Sequence, residues 1–594
     1  MANNRKLIPY GISNFEKVRL ENYYYVDKTG YIPNLESYNY ILFLRPRRFG
    51  KSLFLNMLEA YYSTRYADKF DSLFGDLEIG KHPTEIHSSY LTLRFSFASV
   101  NSNPDKVEES FNWIALKTIE SFVNVNATNL PQDTYNRVIN GCTSCHNALF
   151  SLANIISECG KKLYVMIDEY DNFANTLMTV DENKYSQIMH ADGSIRLFYN
   201  LLKDASAGNG CAIDRIFITG VSPLCLSDVT SGFNIAANLS TEPRFNAMVG
   251  FSENDVRIML TYYAEANDIP LQDAESQLPL MKSYYDNYCF SEEAAEDGEH
   301  VFNSDMTLYF IDKFVGRRGK APNVLLDDNV KQDFNKIRMM VRYESSFGNR
   351  SSLMQSILND GYTLAQLNTQ FQIRELTDES NLSSLLFYLG MLTYGKATPP
   401  EGGGRSIVTL VVANEAMRQQ YAKYLAIAYA DTLQWRTDIN TMNKLWANWS
   451  YFGQWQPLIT HIASAMHDND SVRDFTPQAE SFIKGFILAH LYNIKGFIVR
   501  TEAEMSHGYS DIYLYPIVPE FRNALVLELK YLKPTATDTE VENARKEAHK
   551  QIAQYVADKR LRTEAEAKGW TLVAAVAVFR GWTAEVIEEL TVNS

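Results

Sequence analysis

The sequence RPRRFGKSL at residues 45–53 decides the fold of the first part of this chain. The apolar run YILFL, Tyr40–Leu44, comes directly before it and is typical of a buried parallel strand, while FLNMLEAYY after Ser52 has the apolar spacing of a helix. A strand, a loop that ends in Gly-Lys-Ser and a helix are the context of a phosphate-binding loop. We therefore predict an α/β domain in which a parallel sheet with flanking helices presents a P-loop.

The predicted P-loop would hold a nucleotide through its backbone and a few side chains. The backbone N–H groups around Gly50 and the helix N-terminus would surround the phosphates. Lys51 would reach the β and γ phosphates, and the Ser52 hydroxyl would bind Mg²⁺. The two arginines Arg47 and Arg48 are expected either near phosphate or paired with acids of a second compact unit. The pattern predicts ATP and Mg²⁺ as cofactors.

The first position of the loop departs from the usual pattern, because Arg45 stands where a glycine is expected. Pro46 follows and restricts residue 45 to extended conformations. An extended residue does not need the φ freedom of glycine. We therefore expect the loop to bind ATP in spite of Arg45.

A carboxylate motif that could complete the nucleotide site follows in KKLYVMIDEYDN. Leu163–Ile167 is predicted to be a buried strand, with Asp168 at its end on the Mg²⁺ side and Glu169 placed to polarise an attacking water. Thr219 ends a third apolar run, RIFITGV, and is a candidate sensor of the γ-phosphate. The alternatives remain open: Thr219 could be a buried threonine bonded to backbone, and the protein could bind ATP without hydrolysing it.

The C-terminal part contains a second set of residues suited to phosphate chemistry. In LVLELKY, Glu528 and Lys530 are two apart, so on a strand they project from the same face. Asp511, on a preceding strand, could share a metal with Glu528, and two hard oxygen ligands with open positions suit Mg²⁺. The metal would activate water while Lys530 stabilises charge on a phosphodiester. The alternative is that this E-x-K pattern is a solvated strand face.

Two predicted helices flank these strands. Glu480, before the strands, could add a carboxylate directly or through water. Gln551 and Tyr555 are four apart on a later helix and therefore share one face. Tyr509, Tyr513 and Tyr515 could stack on bases.

Several of these segments resemble the bacterial AAA-ATPase-like family that carries a C-terminal PD-(D/E)XK nuclease domain. The resemblance rests on YVDKTGYI, RPRRFGKSL, IDEYDN, TGVSPL and RFNAMVGFSENDV, at residues 25–32, 45–53, 167–172, 219–224 and 244–256, together with LSSLLFYLGMLTY and LVVANEAMRQQY at 382–394 and 410–421. The family's loop also opens with Arg-Pro-Arg-Arg. The resemblance implies that Glu480 is the family's helix glutamate and that Gln551 belongs to its Gln-x-x-x-Tyr element. The usual proline before Asn-Glu is Ala413 here.

We predict three parts in an α/β multidomain chain. These are an AAA-like P-loop ATPase domain at 1–265, a mostly helical middle region with a small hairpin at 266–470, and a PD-(D/E)XK nuclease-like domain with a restriction-endonuclease-like α/β fold at 471–594. The segment EGGGRS, 401–406, is predicted to be the tip of that hairpin. The apolar run Thr571–Phe579 is predicted to complete the C-terminal sheet.

Composition limits the class of protein. The net charge of −15 argues against a protein that coats nucleic acid nonspecifically. Residues 471–594 carry 15 Lys and Arg against 17 Asp and Glu, so the C-terminal part could face a polyanion at lower electrostatic cost. No apolar run suggests export or a membrane span, so a cytoplasmic location is expected. The six cysteines are irregularly spaced, which favours reduced thiols, and CTSCH at 142–146 is predicted to pack on a helix, not to attach haem.

The sequence thus favours a nucleotide-regulated, Mg²⁺-dependent nuclease whose nucleic-acid partner is DNA. ATP would act by moving the middle region to expose or align the nuclease site, and a role in defence against foreign DNA follows from joining the two activities. Two alternatives stay open: a nucleotide-switched regulator that binds nucleic acid or protein without cleaving it, and a nuclease directed at RNA. Homo-oligomerisation is also left open.

Overall fold

The structure, a computed structural model, describes residues 5–101, 103–173, 193–206, 212–224, 235–327, 349–372, 375–396, 407–432, 438–467, 479–494, 496–505, 508–518 and 520–590. The chain forms two compact units. The first unit contains Met1–Tyr343 and Leu364–Ala413, and the second contains Glu344–Thr363 and Asn414–Ser594. Parts of the predicted middle region therefore belong to each unit, and the division of the chain at 265 and 470 remains a prediction.

The first unit is built on a parallel sheet in the order β2-β3-β4-β1-β5. Its strands are β1 Tyr40–Leu44, β2 Leu91–Ser96, β3 Leu163–Asp168, β4 Ile213–Gly220 and β5 Ala237–Asn238. Strand β3 is buried at every position and β1 at all but its first, as expected for strands covered on both faces. The predicted parallel sheet with flanking helices is confirmed.

Helices surround this sheet and extend beyond it in the first unit. Most positions on the sheet side of these helices are apolar, as the helical spacing after the P-loop predicts. Their bounds are Phe15–Leu20, Ile32–Leu35, Lys51–Tyr62, Phe70–Phe74, Glu78–Lys81, Val107–Val125, Cys145–Glu158, Ser194–Asp204, Glu253–Glu265, Leu271–Tyr285, Glu292–Asp297, Ser304–Gly316 and Glu379–Tyr388. Cys145 is buried at the start of its helix, which agrees with the packing predicted for CTSCH.

A small sheet in the order β6-β8-β7 contains the predicted hairpin strands. The strands are β6 Tyr362–Gln366, β7 Leu392–Tyr394 and β8 Ile407–Val412. β7 and β8 are antiparallel, as in a hairpin. The predicted tip at 401–406 lies outside the described residues.

The second unit contains a mixed sheet in the order β13-β12-β11-β10-β9. The strands are β9 Phe497–Met505, β10 Gly508–Pro516, β11 Asn523–Leu532, β12 Thr571–Arg580 and β13 Thr583–Glu589. β11 and β12 are parallel and need a crossover, which contains Asp538–Val556 and Lys559–Lys568. The other helices are Asn349–Asp360, Glu415–Thr432, Ile439–Phe452, Gln456–His467 and Ala479–Leu491. The predicted C-terminal α/β fold is confirmed, and β13 adds an edge strand beyond the predicted final one.

Membrane-spanning helices were searched for among the described residues. None of the helices there combines the length and the apolar character that crossing a bilayer requires.

Stability of the second unit is expected to fall in acid because of His490. Its ring is buried and Nδ1 lies 2.7 Å from the Phe486 carbonyl oxygen. Burial lowers the pKa of His490 to about 4, and the nearby His461 acts in the same direction. The unfolded chain binds a proton here as pH falls below about 6.5, whereas the folded chain does not until about pH 4, so stability is lost as pH falls through this window.

The variant His490→Leu should therefore lose less stability on acidification than the unmodified chain. At about pH 5 the difference should reach about 2 kcal/mol, read from urea unfolding at about pH 7.5 and about pH 5. His82→Gln, which alters an exposed histidine, is the matched control. Equal acid sensitivity of His490→Leu and the unmodified chain would contradict this assignment.

Candidate nucleotide and nuclease sites

The P-loop opens onto a cavity of about 410 Å³ in the first unit. Gly50 has φ 90° and caps the helix Lys51–Tyr62, a left-handed conformation that favours glycine. Gly50, Lys51 and Ser52 line the cavity together with Glu169. The fold thus brings the two predicted nucleotide motifs to one place, at the carboxyl ends of β1 and β3.

Lys51 lies within the loop itself. Its Nζ donates hydrogen bonds of 2.8 Å to the carbonyl oxygens of Arg45 and Pro46, and the side chain is only 9% exposed. Burial lowers the pKa of Lys51 to about 8, against the opposing effect of the Glu169 and Asp168 carboxylates. The ammonium therefore sits at the inner surface of the loop, beside the space where phosphates would bind.

The two acids at the end of β3 face different surroundings. Asp168 is buried and its Oδ2 lies 3.1 Å from Nη2 of Arg94, while its Oδ1 has no hydrogen-bond partner among the described residues. Glu169 lines the cavity and has φ 50°, and burial followed by the charge of Asp168 raises its pKa. An unpartnered buried carboxylate oxygen and the Ser52 hydroxyl are hard donors that fit Mg²⁺. Arg94 was missed from sequence, since β2 carries no recognised motif.

Thr219 uses its hydroxyl inside the sheet. Oγ1 donates to the Phe43 carbonyl oxygen at 2.8 Å, and the residue is buried. This contact matches the alternative of a buried threonine bonded to backbone. A role for Thr219 in sensing the γ-phosphate remains a prediction.

Asp171 and Tyr170 have a positioning role that sequence reasoning missed. Asp171 is 1% exposed and accepts hydrogen bonds from the N–H groups of Val221, at 3.1 Å, and Ser222, at 2.8 Å. The Tyr170 hydroxyl donates to the Ser222 carbonyl oxygen. The two residues therefore fix the turn after β4. The third acid of IDEYD was the available signal.

Arg45 anchors the start of the loop in the protein interior. It is 1% exposed, and its guanidinium donates to the carbonyl oxygens of Leu44, Ser240 and Phe245 at 2.6–2.9 Å. The same group lies over the ring of Phe290, 4.1 Å from its centroid. Burial lowers the pKa of Arg45 to about 9. At the position where a usual loop has glycine, this chain therefore has an arginine that hydrogen-bonds to backbone carbonyls around the loop.

Replacing Arg45 with methionine is expected to destabilise the first unit by about 2 kcal/mol or more, because buried carbonyls lose their donor. Urea unfolding of the purified variant measures the effect. Arg244→Met, at an exposed arginine, should unfold like the unmodified chain. Unchanged stability in Arg45→Met would show that the buried guanidinium does not anchor the loop.

The two further arginines line the same cavity. Arg47 donates from Nη2 to Asn172 Oδ1 at 2.9 Å, and Arg48 lies 3.3 Å from Asp305 through Nη1 and Oδ2. Asp305 belongs to the first unit with the loop. Arg48 therefore pairs with an acid of the predicted middle region, 266–470, as expected.

In the second unit, β10 and β11 bring Asp511 and Glu528 together. The antiparallel register pairs Ile512 with Leu527, so Asp511 and Glu528 are the next two positions and lie opposite each other. Asp511 Oδ2 accepts a hydrogen bond of 2.8 Å from the Leu529 N–H. Glu528 is 4% exposed, and its Oε2 has no hydrogen-bond partner among the described residues.

The electrostatics of this carboxylate pair favour a cation. Burial, followed by the charge of Asp511, raises the pKa of Glu528 to about 7, while Lys530 opposes the shift. A neighbouring carboxylate that disfavours ionisation of Glu528 and an unpartnered buried oxygen are what a divalent ion would compensate. Among the described residues no group of three or more His, Cys, Asp or Glu is arranged to hold a metal.

Lys530 lies beside Glu528, and Gln551 lies on the helix that packs against β11. Lys530 Nζ is 3.2 Å from Glu528 Oε1 and 4.0 Å from Oε1 of Glu547 on helix Asp538–Val556. Gln551, on that helix, has a buried Oε1 without a partner among the described residues. The same-face projection of Glu528 and Lys530, predicted from the strand period, agrees with this contact.

The helix Ala479–Leu491 contributes a residue that was not predicted. Lys484 Nζ lies 3.7 Å from Asp511 Oδ1, whereas Glu480 is exposed. Lys484 follows Glu480 by four residues on one helix face, which was an available signal. The role of Glu480 remains a prediction.

The aromatic residues predicted to stack on bases are placed differently. Tyr513 is 5% exposed within the core under the sheet, so the expectation is wrong for this residue. The Tyr515 ring packs against Tyr513 and Trp570, with centroids 4.9 and 5.5 Å away. Their alternation on β10 sends both to the packed face. The side chain of Tyr509 lies outside the described residues.

The geometry defines a class of protein: one chain with a P-loop α/β unit and an α/β unit that carries an Asp, Glu-x-Lys constellation. Residues 9–230 match a family model described as AAA-ATPase-like, a predicted AAA-ATPase. Residues 478–589 match one described as the PD-(D/E)XK nuclease superfamily. The chain therefore carries an AAA-ATPase-like domain and a C-terminal PD-(D/E)XK nuclease superfamily domain.

A curated relative is also similar to this chain. It is the "Uncharacterized protein in vnfD 5'region" of Azotobacter chroococcum mcd 1, 28% identical over 324 residues. The matched region covers 52% of this chain and 52% of the relative, so the chain spans about half the length of that protein.

Proposed function

We propose that this chain is a nucleotide-controlled nuclease that uses Mg²⁺ to cleave DNA phosphodiesters. The observation that carries the proposal is the buried Glu528 opposite Asp511, with Lys530 at 3.2 Å from Glu528, in a chain that also has a P-loop cavity lined by Lys51 and Glu169. Joining a destructive activity to a nucleotide site keeps it conditional. That logic supports a role in defence against foreign DNA.

Asp511 and Glu528 are the residues that would hold the metal in the nuclease site. A bound Mg²⁺ would supply Lewis acidity and a water of lowered pKa. The backbone N–H of Leu529 orients Asp511. Lys530 would donate to a phosphate oxygen and stabilise the charge that grows there.

Gln551 would orient the attacking water through its unpartnered Oε1. The water oxygen would bond to phosphorus and release a proton to solvent, the ester P–O bond would break, and the departing oxygen would take a proton from solvent. The products are a phosphate monoester end and a hydroxyl end.

In the nucleotide site, Lys51 would donate to the β and γ phosphates, with Gly50 and the two arginines Arg47 and Arg48 around them. Ser52 and Asp168 would hold Mg²⁺, and Glu169 would polarise the water that attacks the γ-phosphate. Binding or hydrolysis of ATP would then control cleavage.

The test compares supercoiled plasmid, single-stranded DNA and an RNA of the same sequence, each with Mg²⁺ or with EDTA. The proposal predicts that DNA is cleaved in the reactions with Mg²⁺ and not in those with EDTA. A Glu528→Gln preparation, which controls for contaminating nucleases, should cleave no DNA. Cleavage of RNA only would mean that the substrate is RNA and not DNA. ATP binding without any cleavage would favour a nucleotide-switched binding protein.

A further inference from the structure

A turn far along the chain holds the backbone of the P-loop. Three groups of the turn Asn303–Asp305 donate hydrogen bonds to three successive carbonyl oxygens of the loop. Asn303 Nδ2 donates to the Arg47 oxygen at 3.3 Å, the Asp305 N–H to the Arg48 oxygen at 3.1 Å, and Ser304 Oγ to the Phe49 oxygen at 3.1 Å.

These contacts fix the direction of the loop's N–H groups. In a trans peptide the C=O of one residue and the N–H of the next point in opposite directions. With the carbonyls of Arg48 and Phe49 turned to the turn, the N–H groups of Phe49 and Gly50 are turned away from it. N–H groups that point together from a loop form an anion-binding concavity.

The backbone conformation of the loop agrees with such a concavity. Arg48 has φ 72° and Gly50 has φ 90°, so left-handed residues alternate along it. A left-handed arginine is strained and persists only when its surroundings hold it. The Asp305 N–H on the Arg48 carbonyl and the Asp305 carboxylate, 3.3 Å from the Arg48 guanidinium, provide that hold.

Asn303 links the loop to a helix as well. Its Oδ1 accepts a hydrogen bond of 3.2 Å from the Met306 N–H and so caps helix Ser304–Gly316. One side chain therefore joins the helix start, through its oxygen, to the loop, through its nitrogen. The turn lies well beyond residue 230, where the matched AAA-ATPase-like model ends.

We propose that the Asn303–Asp305 turn is a positioning element of the nucleotide site, which presents the loop N–H groups to the phosphates of a nucleoside di- or triphosphate. The proposal rests on the proposed binding of ATP and extends it to a turn that acts on the loop through its backbone, although Ser304 and Asp305 also line the cavity. Because the turn begins helix Ser304–Gly316, occupancy of the loop and the position of this helix are coupled.

The test measures the affinity of the full chain for Mg²⁺-ATP and for ADP by calorimetry. Ser304→Ala removes one of the two donors to the Phe49 carbonyl and leaves the Gly250 N–H, and Asn303→Asp keeps the helix cap but removes the donor to Arg47. Each should weaken ATP and ADP binding about five- to tenfold, with little change in thermal unfolding. Ser304→Thr keeps the hydroxyl and should restore affinity. Asn14→Asp, the same change at another helix cap, should bind like the unmodified chain.

The outcomes separate this inference from the proposed function. Failure of the unmodified chain to bind ATP or ADP overturns both. Binding by the unmodified chain with the same affinity in Ser304→Ala and Asn303→Asp overturns the positioning role alone. Since Ser304→Ala adds no charge, weakening in that variant cannot be due to repulsion of phosphate by a new carboxylate.

Discussion

Glu528→Gln is expected to abolish Mg²⁺-dependent cleavage, with a fall of about 10²–10³-fold or more in rate. Glutamine keeps the shape of the side chain but removes the charge that would hold the ion beside Asp511. Lys530→Ala should cause a loss of similar size, because the ammonium lies 3.2 Å from Glu528 Oε1 and no other described cation lies within 4.0 Å of that carboxylate. Initial rates of plasmid cleavage measure both effects.

The matched control for this prediction is Lys533→Ala. Lys533 is exposed just after β11, so its removal tests whether loss of any lysine near the strand end lowers cleavage. If both Glu528→Gln and Lys530→Ala cleave at the unmodified rate, then Glu528 and Lys530 take no part in the cleavage reaction.

Lys51→Met is expected to weaken binding of Mg²⁺-ATP by about 100-fold, the size of effect that loss of a charge-assisted hydrogen bond gives. Methionine keeps the apolar stem but leaves the Arg45 and Pro46 carbonyls without the ammonium that now bonds them. Calorimetric titration measures the affinity. Lys81→Met, at an exposed lysine of the same unit, should leave it unchanged.

Unaltered ATP affinity in Lys51→Met would mean that the cavity binds something other than a nucleoside triphosphate through this loop. A variant that no longer binds ATP but unfolds at the same urea concentration as the unmodified chain would support the assigned role. Comparing affinity with stability matters here because Lys51 is buried.

The parts of both sites that follow from local sequence were predictable. The strand Tyr40–Leu44 and the helix after Ser52 define the loop by themselves, since apolar runs and helical spacing are local signals. The shared face of Glu528 and Lys530 follows from the two-residue period of a strand. The pairing of Asp511 with Glu528 needed only the register of neighbouring strands.

The remaining contacts join residues that are distant in sequence. Periodicity says nothing about which carbonyls a buried arginine will meet, so the anchoring of Arg45 on Ser240 and Phe290 could not be derived. The same holds for the Asn303–Asp305 turn, whose donors lie about 250 residues from the loop they hold. Thr219 shows the converse: its strand-end position suggested a sensor, but the structure shows its hydroxyl on the backbone of β1.

Control of the nuclease by nucleotide is tested by plasmid cleavage with Mg²⁺ in the presence and absence of ATP. The unmodified chain is compared with Lys530→Ala and Lys51→Met. We expect Lys530→Ala to cleave in neither condition. ATP should change the cleavage rate of the unmodified chain but not that of Lys51→Met. Equal cleavage by the unmodified chain and Lys51→Met, with and without ATP, would contradict it.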